Sequence, residues 1–353
     1  MMEIKTLHSL DTEYSADSIE WCPNEHFLTY FVCGTYQLEG NTSESSSPPC
    51  RRKGRIYLFQ FKAKTNDFVE LHRVETAAIL DMKWLQQENL EFPILAAANA
   101  LGQIEVFTLE KNQLIRKSTF DLNTEFHNLL ALSLDWDWNS SSQLVDNRKI
   151  LSSDSKGDIT LLQFNENRLT KLNRWSAHSF EAWICAFDKW DFNRVFTGGD
   201  DTFLHAFDIR GPNKILTNKS HIAGVTCLLS HPKQEHILLT GSYDERLRIF
   251  DTRSMKQPIS DINLEGGIWR LKPDPYDRNL ILAACMYKNF SIVELLDGRS
   301  DMKLVGEYNE HESICYGADW CMDTNKENNG DLYMATCSFY DHKLCLSELI
   351  ENK

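Results

Sequence analysis

The sequence predicts an all-β fold, a seven-bladed WD-repeat-like β-propeller in which residues 1–353 form one domain. Three observations lead there. Two stretches, 178–210 and 221–253, superpose without a gap at a spacing of 43 residues. Apolar and polar residues alternate between turns rich in Asn, Asp, Gly and Ser, the period of half-buried strands. No stretch sustains the 3.6-residue period of a helix. Seven copies of about 40–45 residues match the repeat of a ring with four strands per blade. That repeat overrides the two domains that 353 residues would otherwise suggest.

Taken in order, residues 3–14 supply an outer strand for the last blade, so that the ring has no open edge. The first copy, Ile19 to Phe61, ends in RIYLFQF and carries a Ser/Pro-rich insertion, 38–55. That composition predicts a disordered surface loop with a basic end suited to docking. The second copy, Leu80 to Phe107, ends in GQIEVF, and the third, Leu132 to Phe164, contains GDITLLQF. The fourth and fifth are the gapless pair: His178 falls on His221, Asp201 on Asp244, and Phe207-Asp208 on Phe250-Asp251. In the sixth, Gly267 to Glu294, residues Leu282, Phe290 and Ile292 fall on Leu239, Leu247 and Ile249. The seventh, His311 to Ser347, repeats the His and the Asp (Asp341) around a polar insertion, 323–331. These His and Asp residues resemble the pair that ties loop to turn in WD repeats, and they are read as structural. Phe-Asp stands where the WD dipeptide belongs, and the literal Trp-Asp pairs at 136–137 and 190–191 fall elsewhere in the repeat.

Composition narrows the function. A net charge of −14 is the wrong sign for gripping phosphate backbones, so no nucleic-acid partner is expected. No run approaches the roughly 20 apolar residues of a membrane span, and residues 1–10 lack a signal-type apolar core. Ten cysteines without a C-x-x-C pair, several inside apolar runs (Cys185, Cys227, Cys285, Cys345), read as reduced core residues. A cytosolic or nuclear location is expected, the cytoplasm first. A closed ring also leaves no sticky strand, so a monomer is the default.

Superposing the copies shows which side chains face the central channel. The position five residues after the repeat His holds Trp183, Thr226, Trp269 and Tyr316 in the last four copies. Asp17, Leu80 and Leu132 match it in the first three. The position before the turn Asp, at the upper rim, holds Asp200, Tyr243, Met286 and Tyr340. Trp21, Trp84, Trp136 and Trp320, at the other end of the same strand, read as core. Two tryptophans and three tyrosines therefore converge on one mouth, with Asp200, Glu181 and Asp17 beside them. Aromatic faces edged with carboxylates suit a cation, above all a quaternary ammonium, at ~0.5–2 kcal/mol per contact. An acidic protein attracts such a ligand over distance.

Catalytic signatures are absent: there is no G-x-S-x-G, H-E-x-x-H, P-loop or G-x-G-x-x-G. Gly198-Gly199 and Gly266-Gly267 are turn glycines of the repeat. No metal-ligand set with sensible spacing occurs, and neither a metal nor another cofactor is expected.

A more specific likeness lies in DTEYSADSIEWCP (11–23), CGTYQL (33–38), AILDMKW (78–84), HSFEAWICAF (178–187), GGIWRLK (266–272), YGADW (316–320) and CSFYDH (337–342). Together these resemble the WD-repeat family of diphthamide biosynthesis, the diphthine methyl ester hydrolases, historically called diphthine methyltransferases. The resemblance covers nearly the whole chain. It implies hydrolysis of the methyl ester of methylated diphthine, a modified histidine of elongation factor 2, before the final amidation. That histidine carries a trimethylammonium group, so Trp183, Trp269, Tyr316, Tyr243 and Tyr340 become the candidate cage, with Asp200 and Glu181 as counter-charges. The resemblance brings no established catalytic residues.

Ester cleavage needs activated water or a nucleophile, and donors for the oxyanion. His342, not a repeat His, is the first candidate base and Asp200 the second, with Arg270 as oxyanion stabiliser. Cys285 and Ser242 are alternative nucleophiles. A competing reading is a non-catalytic adaptor, since FDIR (207–210) and FDTR (250–253) resemble the D-x-R boxes of cullin-RING ligase substrate receptors. Contact would then run through Asp208, Arg210, Asp251 and Arg253. A third reading is a methyl-lysine histone-tail reader using the same aromatic mouth.

Overall fold

A computed structural model describes residues 1–38, 52–87, 90–123, 128–138, 147–276, 279–296, 301–323 and 332–350. The described residues contain strands and turns and no helix. The strands make seven antiparallel sheets arranged as the blades of a propeller. The innermost strands, blade 1 to blade 7, are Ala16–Trp21, Ile79–Trp84, Ala131–Trp136, Ile184–Phe187, Val225–Ser230, Arg270–Pro273 and Cys315–Trp320. Each runs outward through three further strands, blade 1 carrying the short Gln37–Leu38 in addition; in blade 7 the outermost is Glu3–Asp11, paired antiparallel with Lys343–Ile350. The ring is thus closed by segments from opposite ends of the sequence.

The insertion at 38–55 is narrower than expected. Gln37–Leu38 pairs with Lys53 and Arg52, and Arg52–Lys62 is a strand laddered to Asp67–Ala77. Arg55 fixes this end, lying 2.6 Å from Glu13 and 2.5 Å from Glu75. Residues 39–51 and 324–331, the remainder of the two insertions, lie outside the described residues.

Seven clusters of buried apolar side chains hold the ring, one between each neighbouring pair of blades. The cluster joining blade 7 to blade 1 packs Trp21, Phe31 and Tyr57 with Cys337, Leu344 and Leu346. Alternation along each strand sends one set of residues into the gap on each side. The repeat histidines knit strand to turn inside the blades. His178 lies 2.8 Å from both Asp201 and Thr197, and His311 bonds Thr336 and Ser338, with Ser338 bonded on to Asp341.

Polar clasps cross from blade to blade beside the channel. Asp81 accepts from the Leu134 amide, Asp135 from Phe187, and Asp319 from Trp21, at 3.1, 2.8 and 2.7 Å. The indoles of Trp84, Trp136 and Trp320 donate to the carbonyls of Glu20, Lys83 and Lys272. Lys83 and Lys272 both lie 2.6 Å from Glu20 and reach Asp81 at 3.0 Å and Asp319 at 3.5 Å respectively, so these carboxylates are paired as charges as well. Nine described cysteines are buried and unbridged.

Candidate functional site

The channel mouth is built on a local irregularity of the inner strands. In blades 1, 2, 3, 5 and 7 the ladder to the second strand skips one residue: Asp17, Leu80, Leu132, Thr226 and Tyr316 respectively. Each skip is a β-bulge, which leaves one residue unpaired and re-aims its side chain. In blades 4 and 6 the matching residues, Trp183 and Trp269, stand just ahead of the first paired residues, Ile184 and Arg270. One level of the ring therefore presents side chains set apart from the regular ladder, of which Thr226 is tied back to the backbone, its hydroxyl donating to the Gly241 and Ile268 carbonyls.

On blades 4 to 7 those side chains make a continuous aromatic surface. The Trp269 ring lies 5.8 Å from Trp183, 6.1 Å from Tyr243 and 5.1 Å from Tyr316. Trp183 meets Tyr243 edge-on at 6.0 Å. Edge-to-face and tilted packing at these distances is favourable and leaves ring faces open. Two aromatics escaped the sequence reading: Phe339, 5.5 Å from Tyr316, and Tyr36, 5.9 Å from Phe339. Phe339 directly precedes the rim position in the turn and offered the better signal. Tyr340 touches Phe339 at 5.0 Å but is 72% exposed, so it belongs to the outer lip.

The acids sit at this surface unequally. Asp200 accepts a 2.9 Å bond from the Trp183 indole, and its own amide donates to the Glu181 carbonyl. Gly224 makes room for this: a Cβ there would lie 2.9 Å from the Asp200 carboxylate and 3.0 Å from the Tyr243 ring. Burial, then Asp200, with Glu181 a smaller contributor, holds the Tyr243 phenol well above its ordinary range. Burial and then Asp17 do the same for Tyr316, so both phenols are neutral donors. Asp17 is only 6% exposed, and burial pushes its carboxyl up to about 8 against the opposing pull of Arg270.

Arg270 crosses the channel rather than pointing into the mouth. Its guanidinium donates to the Leu80 carbonyl at 3.1 Å and lies 3.4 Å from Asp81, on blade 2. It also donates to the Trp269 carbonyl. Burial opposes its charge, and Asp81 and Asp17 more than offset that. Beneath it lies a separate cavity of about 430 Å³, lined by Asp81, Lys83, Lys272, Asp319 and Cys227 among others. Arg270 is thus a partition between an upper aromatic mouth and a lower charged chamber.

His342 is not brought to the rings. It occupies a left-handed turn position (φ 53°), its carbonyl accepts from the Thr12 amide, and its ring lies 4.0 Å from Asp11. The turn swings the imidazole toward the closing strand. Cys285 and Ser242 are fully buried in second strands, and burial pushes the Cys285 thiol up to about 12, away from nucleophilic character. Arg210 and Arg253 fold back onto Asp208 and Asp251, with shortest contacts of 2.5 Å in each pair. Both arginines lie two residues past the ends of third strands, Leu204–Asp208 and Arg246–Asp251. Among the described residues, His178, Asp201 and His205 bring ligand atoms within 4.8 Å of one another. Their nitrogens are already bonded within the blade: His178 to Asp201 and Thr197, His205 to Thr217. That set suits the repeat scaffold better than a metal.

The fold and its repeat define a WD-repeat propeller with an aromatic, acid-edged mouth. The WD domain, G-beta repeat model matches residues 212–251. A chain titled "Crystal Structure of Mitotic Checkpoint Complex" superposes with a TM-score of 0.70 over 99% of this chain and 94% of its own, at 16% identity, a likeness of fold alone. Diphthine methyltransferase of Homo sapiens is 40% identical over 343 residues, covering 91% of this chain and 75% of that protein. The diphthine methyltransferase homolog of Dictyostelium discoideum is 35% identical, covering 98% of each. The chain belongs to the diphthine methyltransferase family.

Proposed function

We propose that this protein acts in diphthamide biosynthesis as a methyl ester hydrolase, converting methylated diphthine on elongation factor 2 to diphthine ready for amidation. One observation carries the reading: the unbroken run of rings from Trp183 through Tyr243 and Trp269 to Tyr316, with Asp200 hydrogen-bonded at its edge. Ring faces attract a trimethylammonium through their quadrupoles, and an adjacent carboxylate adds a Coulombic term that water screens poorly in a recess. The buried carboxyl of Asp17 supplies the second requirement, a group able to move a proton near neutral pH. Buried, unbridged cysteines suit a reducing compartment, and we assign the protein to the cytoplasm as a monomer.

Intact-mass analysis of methylated elongation factor 2 incubated with the purified chain tests the reading. Loss of one methyl group with release of methanol is the expected result. Gain of a methyl group from an added sulfonium donor would reverse the direction, since aromatic faces also accept sulfonium cations. Stoichiometric binding with neither change would favour an adaptor.

A further inference from the structure

Asp17 is a buried carboxyl at the level of the rings that makes no structural hydrogen bond among the described residues. Its Oδ1 is buried and has no hydrogen-bond partner among the described residues. Leaving a buried carboxyl oxygen unsatisfied is costly, and such groups cluster where chemistry is done. Of the other acids near the channel, Asp200 is committed to the Trp183 indole, Asp81 to the Leu134 amide and Lys83, and Asp319 to the Trp21 amide, while Glu181 is only half-buried.

Its position is fixed from two sides. Asp17 is the bulged residue of blade 1 and Tyr316 the bulged residue of blade 7. The residue after Tyr316 is Gly317, and a Cβ there would fall 2.8 Å from the Ile19 nitrogen and 2.9 Å from the Ser18 carbonyl carbon. The two inner strands thus touch directly below the bulges, which sets Asp17 beside Tyr316 at the end of the aromatic run. The groups acting on it are Arg270 of blade 6, which favours its anion, and Asp81 of blade 2, which disfavours it. Tyr316 and Cys337 of blade 7 couple to it electrostatically, and Cys337 is in turn hydrogen-bonded to Cys33 of blade 1.

We propose that Asp17 is the catalytic acid–base of the ester cleavage, an assignment that rests on the hydrolase reading and names the residue that performs it. The carboxylate takes a proton from a water as the water oxygen bonds to the ester carbon and the carbonyl electron pair moves to its oxygen. The tetrahedral intermediate then collapses, breaking the bond to the methoxy oxygen. That oxygen takes the proton back from Asp17 and leaves as methanol, and the product acid releases its remaining proton to solvent. A trimethylammonium seated on the neighbouring rings favours the anionic carboxyl, so binding itself switches the base on. Arg270 below it stabilises the same anion.

The test uses the full chain and methylated elongation factor 2, with Asp17→Asn and Asp17→Glu. Asp17→Asn is expected to lower kcat about 100-fold or more with KM changed less than about 3-fold. Its Tm should not fall, because the amide removes a buried ionisable group. Asp17→Glu should recover part of kcat. Wild-type kcat/KM should rise with pH toward a plateau above about 8, and the rise should vanish in Asp17→Asn. Wild-type kcat in a folded Asp17→Asn, or a raised KM with unchanged kcat, overturns the assignment and leaves the hydrolase reading intact. If Asp17→Asn does not fold, a flat wild-type profile across neutral and mildly alkaline pH overturns it alone. A wild-type chain that releases no methanol removes both.

Discussion

Replacing Trp269 by alanine isolates the aromatic surface. This ring touches Trp183, Tyr243 and Tyr316, so it is the hub of the run, and it is only partly buried. Losing one ring face against a quaternary ammonium costs ~0.5–2 kcal/mol. At about 1.4 kcal/mol per tenfold, that is a ~2- to 30-fold rise in KM for methylated elongation factor 2. The upper end is expected, because the three neighbouring rings also lose their common support. Trp269→Phe keeps a ring face and should fall within about 3-fold of wild type. Phe192→Ala, in the exposed connection at the opposite end of blade 4, serves as control and should change nothing. Initial rates of methanol release over a range of substrate concentrations give the comparison, with thermal melts confirming that each variant folds. Wild-type KM in a folded Trp269→Ala would show that the rings pack without holding the cation.

Other perturbations separate mouth from framework. Gly224→Ala should raise KM several-fold with little change in melting temperature, because its methyl would displace the Asp200 carboxylate and the Tyr243 ring, both side chains that can move. Asp319→Ala removes the acceptor of the Trp21 and Trp320 amides, and urea unfolding should report a loss of about 2–4 kcal/mol. His311 is pushed down to about 4, chiefly by burial. Its neutral form is therefore the folded one: its contribution is full above the unfolded value of 6.5 and is lost as pH falls from there through about 4. Urea midpoints of His311→Asn should be lower at neutral pH and flatter across that acid window; an unchanged slope would refute the point.

The framework was largely legible in the sequence because it is repeated. One His-to-Asp spacing and one alternation recur, so an error in one copy is corrected by the next. The level of the channel residues was legible for the same reason, and Trp183, Tyr243, Trp269 and Tyr316 do meet. Side-chain direction within that level was not. His342 reads as a free imidazole beside a turn Asp, yet its left-handed backbone turns it toward Asp11. Arg270 does lie beside the Trp269 ring, 5.3 Å from its centroid, but its reach across to the Leu80 carbonyl of blade 2 follows from the ring closure and from no local pattern. Asp17 was legible as a channel residue, but its missing partner depends on contacts from blades 2, 6 and 7 that no local pattern encodes.

The bulges have a further consequence for how such a scaffold changes over time. A side chain held outside the backbone pairing contributes little to blade registration, so its replacement leaves the neighbouring hydrogen bonds in place. Four inner strands carry one such interchangeable post, and Trp183 and Trp269 at the starts of two others provide equivalents, while Thr226 is tied down, its hydroxyl bonded to the Gly241 and Ile268 carbonyls. Ligand preference can therefore be rewritten one post at a time while the wheel that bears them stays whole.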